Sequence, residues 1–375
     1  MSPPRAAEVI LKLAARCNLR CTYCYMYELE EQEAWRRQPL FTEPGTLAAA
    51  AHEIAEHVRT HDLDRMSILL HGGEPLLAGA ERITEVMTAI RSAVPPGCTV
   101  TYGMQTNATL LTEDLLRQFS RYPLGFGVSI DGDDAANRKR LFPALRESAA
   151  ETRRGLELLR RPEFRHMYGG LLAVIDPSND PETVYRALRA EEPAHMDFLF
   201  PLATWDNPPQ PGTGEWLARV FDAWYLDKGA PDIRLFHILM SRILGRDVRA
   251  GFIGRPPDEK SVVIQPDGSA EGLDALRVIG GTEVFSTGMN IRTHSVDEIL
   301  AHPLFTPPGP CAECRMCPLF YECGGGYYPN RWKSDGHGYD HVSVYCDDLM
   351  VLIRHIRMRL KGAGIALPQP ERTFS

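Results

Sequence analysis

The sequence lacks any hydrophobic run long enough to cross a membrane. A membrane-spanning helix needs about 18 or more consecutive apolar residues, and no window of the 375 residues approaches that length. The start of the chain also lacks the pattern of a secretory signal, because prolines and charged residues occur there before any long apolar stretch. We therefore expect a protein of the cytoplasm that does not bind membranes.

Positive charge is also scarce. The chain has 41 Lys and Arg residues against 49 Asp and Glu residues, a formal net charge of −8. General nucleic-acid binders carry a basic surface, so we expect no nucleic acid among the partners. Internal repeats and low-complexity segments are missing, and the hydrophobic fraction of 44% is that of an ordinary globular protein. Collagen, coiled coil and wholesale disorder are thereby excluded.

Nine cysteines stand out in a chain expected to stay in a reducing compartment, where they indicate metal or redox chemistry rather than disulfides. They are not spread evenly. Three lie near the start of the chain and five near its end: Cys17, Cys21, Cys24, then Cys311, Cys314, Cys317, Cys323 and Cys346. Cys98 stands alone and is interpreted as a thiol of the core. This distribution predicts two metal sites, each in its own domain.

Hydrophobic patterning predicts strands that alternate with helices over the first 200 or so residues. Six strand-like runs occur at 8–15, 66–70, 99–105, 125–130, 169–175 and 196–202. Helical runs lie between them, the first from Thr42 as N-cap and later ones at 80–94, 112–121, 145–160 and 181–190. Alternation of this kind predicts a parallel sheet with right-handed crossovers. Because six units are too few for a full eight-stranded barrel, we expect an α/β fold with a partial (β/α)6 TIM-like barrel.

The alternation ends in a turn-rich stretch at 205–214. Helical periodicity follows from about 215 to 245. A second β-like module begins at Ser261, and the chain closes with a basic amphipathic helix from Asp347 to Lys361. The predicted domains are therefore residues 1–210, a helical bridge at 211–258, and a C-terminal domain at 259–375.

The first cysteine group follows directly on the first strand, at the sheet edge where α/β active sites form. Three thiolates within eight residues can hold one metal centre. An iron–sulfur cubane usually takes four cysteines, so three would leave one iron open. By spacing alone, a zinc site completed by a distant histidine is an equal alternative.

The wider pattern resembles the radical S-adenosylmethionine (SAM) enzymes. Cys17-x3-Cys21-x2-Cys24, with Tyr23 before the last cysteine, is similar to the signature of that family, and Gly72-Gly73-Glu74-Pro75 follows the second strand as it does there. The resemblance implies a [4Fe–4S] cluster on the three cysteines and SAM beside it. It implies further SAM-binding residues at the strand ends: Tyr23, Gly72, Gly73, Glu74, Gln105, Asn107, Ser129, Asp131 and Arg140. Arg138 is an alternative to Arg140 for the SAM carboxylate.

The second cysteine group has the spacing Cys314-x2-Cys317-x5-Cys323, followed by three glycines and later by Cys346. Alone, this spacing favours a four-cysteine zinc ribbon. Behind a radical SAM core it resembles the auxiliary-cluster domain called SPASM, which commonly has seven cysteines and two clusters. Here Gly272-Leu273-Asp274 stands where that family often has a cysteine. We therefore predict one auxiliary [4Fe–4S] cluster on Cys314, Cys317, Cys323 and Cys346, with Cys311 as a bystander that could replace one of them.

The tail resembles maturases of ribosomally synthesised precursor peptides, through Cys323-Gly-Gly-Gly-Tyr-Tyr-Pro and Ser343-Val-Tyr-Cys346-Asp-Asp. The resemblance implies that a 5′-deoxyadenosyl radical abstracts a Cβ hydrogen and that an aromatic carbon bonds to that Cβ, closing a cyclophane. Asp206 and Asp267 are candidate general bases. The implied partners are the precursor peptide and an electron donor of the flavodoxin or ferredoxin type. Thioether formation and sulfatase maturation remain alternatives within the fold, and a zinc-binding adaptor is the alternative outside it.

Overall fold

A computed structural model describes residues 5–28, 34–248, 250, 252–253, 260–281 and 284–368. The described strands are β1 Ala6–Ala14, β2 Arg65–Gly72, β3 Thr99–Thr106, β4 Leu124–Ser129, β5 Tyr168–Val174, β6 His195–Leu199, β7 Asp232–Ile233, β8 Lys260–Ile264, β9 Ser269–Glu271 and β10 Ser286–Asn290. The described α-helices are α1 Ala34–Arg37, α2 Pro44–His61, α3 Ala80–Ala93, α4 Glu113–Phe119, α5 Asp134–Asn137, α6 Ala149–Arg160, α7 Pro181–Ala190, α8 Thr213–Leu226, α9 Arg234–Ile243, α10 Val296–Leu300, α11 Ala312–Met316, α12 Phe320–Cys323 and α13 Cys346–Gly362. Within these ranges, no helix combines the length and the apolar character that a bilayer crossing requires.

Six strands, β1 to β6, alternate with helices in the predicted chain order, and this confirms the partial (β/α)6 fold class. The chain divides into two compact units that interleave along the sequence. The first comprises Met1–Ile130, Asn137–Leu171 and Glu259–Thr306, and the second comprises Asp131–Ala136, Leu172–Asp258 and Pro307–Ser375. The predicted domain boundaries at 210 and 258 stay a prediction.

The sheet of the first unit is parallel at its centre. Strand β1 pairs in parallel with β2 on one side and with β8 on the other, and β2, β3 and β4 continue the parallel order. Strands β9 and β10 extend the β8 side in antiparallel fashion. The pairing of β8 with β1 brings residues some 250 positions apart into register, with Val9 opposite Val262. The sequence pattern did not indicate this pairing, because it treated residue 261 as the start of a separate module.

The residues of β2 show that one face of the sheet packs against the hydrophobic core and the other face leads to the polar strand ends. Its residues alternate strictly, and Met66, Ile68 and Leu70 are buried on one face. Helices cover this face, with Val86, Met87 and Ile90 of α3 among the apolar side chains of the core. The opposite face carries Ser67, Leu69 and His71 and leads to the strand ends where the polar residues gather.

The second unit has its own core around aromatic residues. Phe221 of α8 lies 5.2 Å from Phe236 of α9 by ring centroids, and Phe198 of β6 lies 5.4 Å from Trp216 of α8. Helix α13 adds buried side chains at Leu352, Ile353 and Ile356. Burial of this much apolar and aromatic surface gives the helices that carry the second cysteine group a rigid base.

Two local predictions need correction, and a third gains detail. Thr42 does not cap α2: Glu43 is the N-cap, Pro44 is the first helical residue, and the Thr42 hydroxyl donates to the Lys12 carbonyl at 2.9 Å. The helix predicted at 145–160 begins at Ala149, after a tight turn. The helical periodicity from about 215 to 245 corresponds to two helices, α8 and α9, and the segment between them forms β7, which pairs with β6.

Gly155 is the first test of this packing. A Cβ at Gly155 in α6 would lie 2.3 Å from the Ala108 carbonyl oxygen, directly after β3. Glycine to alanine in a helix normally stabilises by up to about 1 kcal/mol. Here the overlap with the Ala108 carbonyl makes the substitution destabilising instead. We expect Gly155→Ala to lower the free energy of unfolding by about 1–3 kcal/mol, measured in urea titrations.

Gly362→Ala is the matched control, because a Cβ at Gly362 in the last turn of α13 meets nothing within 4 Å. This variant is expected to be as stable as the wild type or slightly more stable. A Gly155→Ala protein that behaves like the Gly362→Ala protein would contradict the packing described for α6.

Candidate active site and auxiliary cysteine site

Three thiols gather in the loop that leaves β1. Cys17, Cys21 and Cys24 are half-buried and free of disulfides. The loop is held by its own backbone, with the Leu19 amide donating to the Cys17 Sγ at 3.3 Å and the Cys24 amide to the Cys21 carbonyl at 2.9 Å. Burial raises the pKa of Cys17 to about 12 and that of Cys24 to about 11. Three thiolates on one short, half-buried loop require a nearby positive charge, and a metal cluster would supply it.

Side chains from the end of β3 fasten this loop. The Asn107 amide nitrogen donates to the Asn18 Oδ1 at 2.9 Å and lies 3.8 Å from the Cys17 Sγ. The Asn18 amide donates to the Thr109 hydroxyl at 2.9 Å, and that hydroxyl donates to the Asn107 Oδ1 at 2.7 Å. Asn107 was predicted as a site residue, whereas Asn18 and Thr109 were missed. The position of Asn18 inside the cysteine motif was the signal that pointed to it.

Gly72 and Gly73 run against the exit of β1. A Cβ at Gly72, where φ is +147°, would lie 2.4 Å from the Ala14 carbonyl oxygen, and a Cβ at Gly73 would lie 2.3 Å from the Arg16 carbonyl oxygen. The Gly73 amide donates to the Ala14 carbonyl at 2.8 Å. Close approach within the chain itself therefore requires both glycines. Their contact with SAM stays a prediction.

The Glu74 carboxylate is fully buried and joins two strand ends. Its Oε1 accepts hydrogen bonds from the Leu76 amide at 3.0 Å and from the Thr106 hydroxyl at 2.8 Å, and its Oε2 accepts one from the Asn107 amide at 2.8 Å. Burial raises the pKa of Glu74 to about 7, although these hydrogen bonds and the charge of Arg140 act to lower it. Glu74 is thus half-ionised near neutral pH and still has capacity to accept a hydrogen bond from an ammonium group.

The remaining predicted SAM contacts fall into two places. In the first unit, the Gln105 amide donates to the Ser129 hydroxyl at 2.7 Å, and the buried Arg140 donates to the Tyr23 hydroxyl at 2.7 Å. Arg138, the alternative to Arg140, is exposed. Asp131 is buried in the second unit, where its carboxylate accepts a hydrogen bond from the Val174 amide at 2.9 Å.

The two candidate bases, Asp206 and Asp267, both cap turns. Both carboxylate oxygens of the exposed Asp206 accept from the Ser334 amide, at 3.1 and 3.0 Å. Asp267 lies in the turn between β8 and β9, where its Oδ1 accepts from the Ser269 amide at 2.8 Å and its Oδ2 accepts from the Gln38 amide at 3.1 Å. A catalytic role for either residue stays a prediction.

Sequence reasoning missed a buried charge cluster in the first unit. The Lys12 ammonium, on β1, pairs with Asp274, and Arg277 pairs with Glu271 on β9. These side chains are almost entirely buried; Asp274 is the most accessible, with 15% of its side chain exposed. Burial raises the pKa of Glu271; for Asp274, burial acts to raise the pKa, but Lys12 and Arg277 outweigh it and the pKa is lowered. The sequence feature that pointed to this cluster was Asp274, which stands where the family often has a cysteine.

This charge cluster borders a small enclosed cavity. It is lined by aromatic side chains of the first loop and of α1, by charged and amide side chains, and by Gly72. The lining includes Lys12, Tyr27, Trp35, Gln38, Glu271 and Arg277. Burial and the charge of Lys12 lower the pKa of the neighbouring His71 to about 4, so its imidazole is neutral. Buried charges are costly unless paired, so their concentration beside the cysteine loop indicates a functional site.

The second cysteine group lies wholly in the second unit. Cys311 precedes α11, Cys314 lies within it, Cys323 ends α12 and Cys346 begins α13. The Leu319 amide donates to the Cys317 Sγ at 3.4 Å, and the Cys346 amide donates to the Ser343 carbonyl at 2.8 Å. Burial raises the pKa of Cys323 to about 12 and also raises the pKa of Cys314 and Cys346.

Each of the five thiols of this group interacts with at least two of the others. Cys314 forms a hydrogen bond with Cys311 and lies close to Cys323 and Cys346, and Cys346 also lies close to Cys317. Cys311 is completely buried. Five thiols can therefore supply the four ligands of one cluster, and the ligand set proposed without Cys311 stays a prediction.

A further group of potential metal ligands is better explained as a hydrogen-bonded clamp. His57 Nδ1 and His61 Nε2 lie 2.7 and 2.8 Å from the same Asp297 oxygen. The Ala6 amide donates to His57 Nε2 at 3.0 Å, so the proton of the neutral ring is on Nδ1 and points to Asp297. Burial lowers the pKa of His57, which keeps the ring neutral. This histidine has no nitrogen left to bind a metal.

Comparisons with known proteins agree with this geometry. The family model of the radical SAM superfamily matches residues 11–188. The chain is 24% identical over 373 residues to a cysteine-type anaerobic sulfatase-maturating enzyme of Clostridium novyi (strain NT), covering 92% of this chain and 93% of that enzyme. The enzyme of that name from Clostridium perfringens (strain 13 / Type A) is 23% identical over 377 residues, covering 95% of this chain and 98% of the relative.

Two solved structures are similar in fold. Native anSMEcpe with bound AdoMet has a TM-score of 0.80 at 20% identity, covering 95% of this chain and 98% of that chain. Streptococcus suis SuiB bound to the precursor peptide SuiA has a TM-score of 0.59 at 14% identity, covering 90% of this chain and 75% of that chain. At these identities the likeness establishes the fold.

The buried Glu74 carboxylate gives a pH prediction. Its pKa of about 7 in the folded protein lies above 4.5, the ordinary value of a glutamate, so the folded protein retains this proton where the unfolded chain loses it. Stability is therefore highest below pH 4.5 as far as this group is concerned, and falls as the pH rises towards 7. We expect this group to cost about 2–3 kcal/mol across that window in the cluster-free protein, measured by urea titrations at several pH values.

Glu74→Gln removes the titration and provides the comparison. The amide keeps the shape of the side chain, so the variant should show a flatter pH dependence between pH 4.5 and about 7. Equal slopes for the two proteins would show that Glu74 is not the group responsible.

Proposed function

We propose, from the premise that residues 11–188 form a radical SAM domain, that this chain is a radical SAM enzyme that modifies a ribosomally synthesised peptide. The observation that carries the proposal is the gathering of Cys17, Cys21 and Cys24 at the end of β1, beside the buried Glu74. A site of this kind supplies three thiolates and leaves one cluster position open.

Different residues of the first unit would bind the cluster and the separate parts of SAM. The three thiolates would hold a [4Fe–4S] cluster, and the Asn107 amide near Cys17 would stabilise thiolate charge. Glu74 would accept hydrogen bonds from the SAM amino group, and its pKa near 7 suits that task because the ammonium favours its ionised form. Arg140, buried beside Tyr23, would pair with the SAM carboxylate. The Gln105 and Ser129 pair would contact the sugar.

When bound, the cluster would pass one electron to SAM, and SAM would supply the radical that abstracts a hydrogen atom from the peptide. The chain's own task is to position the peptide and exclude water. The cavity next to Gly72, lined by Tyr27, Trp35 and the Glu271–Arg277 pair, has a volume of only about 20 Å³, so the peptide itself would lie outside it.

The second unit would hold one auxiliary [4Fe–4S] cluster, on Cys314, Cys317, Cys323 and Cys346. Three consecutive glycines support the geometry, since Gly324, Gly325 and Gly326 all have φ between +71° and +87°. A side chain at Gly326 would lie 2.8 Å from the Ser343 Cβ. These glycines let the chain turn tightly after Cys323 and return towards Cys346. Crosslinking is a net oxidation, and this cluster would accept the electron that leaves the substrate.

For the product we propose an aromatic-to-Cβ crosslink, a cyclophane. Support comes from the tail motif after Cys323 and from Asp274, which lies in the segment where a second auxiliary cluster would find a cysteine and which pairs with Lys12. Sulfatase maturation is the second candidate, favoured by full-length similarity to the two Clostridium enzymes. Thioether formation is a further alternative in the same fold.

Loss of an aromatic proton requires a base, and besides Asp206 and Asp267 the buried charge cluster contains two carboxylates, Glu271, which lines the cavity, and Asp274, which pairs with Lys12. Glu271 accepts hydrogen bonds from both Gln265 and Arg277. Asp274 uses one oxygen for Lys12, and its buried Oδ1 has no hydrogen-bond partner among the described residues. We therefore infer that Asp274 is the proton acceptor and that Lys12 holds it in place.

The cofactor assignment predicts iron content. The reconstituted protein should hold about eight irons, and the Cys17, Cys21 and Cys24 triple alanine variant about four, with no SAM cleavage. Cys323→Ala is the matched control, since it should also lose about four irons but retain cleavage of SAM to 5′-deoxyadenosine. Iron analysis and chromatography of the nucleoside measure both. Cleavage that survives in the triple variant would contradict the assignment of the first site.

The base assignment predicts a split between two products. Asp274→Asn should keep 5′-deoxyadenosine formation within about threefold of the wild type, while the peptide lighter by two hydrogens falls about 100-fold or more. Mass spectrometry of a co-expressed precursor peptide measures the second product. If a cysteine in a sulfatase peptide is modified instead, the second candidate function holds.

Two variants separate catalysis from folding in this test. Asp274→Asn leaves Lys12 buried and unpaired, which can cost about 3–5 kcal/mol. The double variant Lys12→Met with Asp274→Asn removes both charges and should fold, yet still fail to make product. Asp267→Asn changes an aspartate in the nearby turn and should leave product formation intact. Product from the folded double variant would rule out Asp274 as the base.

A further inference from the structure

A tight hairpin projects from the first unit directly after Arg140. Leu141 and Glu147 form an antiparallel bridge, and the Phe142 amide donates to the Arg146 carbonyl at 2.7 Å. At its tip Ala144 and Leu145 both have positive φ, of 64° and 60°, a conformation that is costly for residues other than glycine. The turn directs Leu145 outward, so that 80% of it is exposed. An exposed leucine on a fixed turn is a suitable centre for a contact with another molecule.

The same segment lies along the first cysteine loop. The Arg20 amide donates to the Leu141 carbonyl at 2.5 Å, and the Thr22 amide donates to the Lys139 carbonyl at 3.0 Å. These two hydrogen bonds flank Cys21. The hairpin therefore begins at the outer edge of the loop that carries the first thiols, and a protein that contacts the hairpin comes close to that loop.

The surface around Leu145 is basic in a chain that is acidic overall. Residues 138–154 contain six Arg and Lys against two Glu, whereas the whole chain carries a net charge of −8. Arg20 and Arg146 have 70% and 58% of their side chains exposed, and they pair with Glu28 and Glu151, respectively. The guanidinium of Arg146 stacks on the Phe142 ring at 3.9 Å, and Arg146 and Arg154 both act on the same carboxylate, Glu151. We call this surface the basic hairpin surface; it comprises Arg20, Lys139, Leu145, Arg146 and Arg154.

We propose that the basic hairpin surface docks the acidic one-electron carrier protein, of flavodoxin or ferredoxin type, that reduces the first cluster. The proposal rests on the proposed function, because only a cluster on Cys17, Cys21 and Cys24 needs such a donor. Electron transfer between proteins requires a short path, and the surface is bonded to the loop that holds Cys21. Transient redox complexes use small interfaces with an apolar centre, and opposite charge steers their encounter.

The composition of the surface favours this partner over a peptide or a nucleic acid. Its basic groups come from one short segment and the adjoining cysteine loop, together with one exposed apolar side chain, whereas the cavity beside Gly72 and Glu271 is lined by none of these residues. Glu147 and Glu151 interrupt the basic run, which would weaken the uniform phosphate contacts that nucleic acids make.

The experiment compares a protein donor with a chemical one. The test variants are Leu145→Ala and the double variant Arg146→Glu with Arg154→Glu. The donor is a bacterial flavodoxin, reduced by its NADPH-dependent reductase, and the chemical reductant is dithionite. Arg186→Glu on α7, also a change at an exposed paired arginine, serves as the charge control. Flavodoxin affinity is measured on cluster-free and cluster-loaded protein, and 5′-deoxyadenosine formation on the loaded protein.

We expect the double variant to bind flavodoxin about tenfold more weakly at low salt and to lose a similar factor in flavodoxin-driven turnover. The difference should shrink as salt rises from about 50 to about 500 mM, because salt screens surface charge. Leu145→Ala should weaken binding at both salt concentrations. Dithionite-driven turnover of all variants, and every property of Arg186→Glu, should stay within about twofold of the wild type.

Three results would overturn the proposal. Unchanged flavodoxin affinity in both test variants would place the docking surface elsewhere. An equal loss with dithionite would show that the substitutions damage the site itself. Weaker binding of the precursor peptide, with flavodoxin affinity unchanged, would assign the surface to the substrate. If the wild-type protein fails to cleave SAM even with dithionite, the proposed function is refuted. Flavodoxin affinity is a separate measurement, so the two proposals can fail independently.

Discussion

The first unit is organised around the buried carboxylate of Glu74. An ionisable group without access to water must have its oxygens satisfied, and here the donors come from the end of β3 and from the turn after β2. Asn107 lies in this network and also reaches Asn18 and Cys17. One carboxylate thus connects two strand ends to the cysteine loop. Gly72 and Gly73 fix the place of Glu74 in the fold, because they pack so closely against the end of β1 that neither position could carry a side chain.

The paired charges of Lys12, Asp274, Glu271 and Arg277 are the second unusual feature of this unit. Burying two ion pairs seldom stabilises a protein relative to apolar packing, so their presence has to be explained by what they do. Asp274 lies in the segment where the modules that this chain resembles often have a cysteine, and Lys12, Glu271 and Arg277 line the cavity beside Gly72. In the proposed mechanism the Asp274 carboxylate, held by the Lys12 ammonium group, stands where a metal-binding cysteine would otherwise be.

The second unit achieves a similar concentration of thiols by other means. Short helices and left-handed glycines bring cysteines from 311 to 323 together, and the start of α13 delivers Cys346 from further along the chain. An aromatic core beneath them, with Phe221 and Phe236 in contact, provides rigid support. Each unit therefore carries its own thiol site, as the separation of the two groups in the sequence predicted.

Much of this was determined by the sequence alone, and the reason is that the information is local. The two cysteine groups, the Gly72-Gly73-Glu74 turn and the alternation of strands and helices are all patterns within short windows, where spacing and periodicity dictate geometry. Only the tertiary structure decided what depends on contacts between distant residues. The pairing of β8 with β1, the meeting of Lys12 with Asp274 and the attachment of the hairpin to the cysteine loop join positions about 120 to 260 residues apart. A lysine within a strand or a leucine within a turn has no local pattern that reveals its role. That role depends on the distant residues that the fold brings next to it.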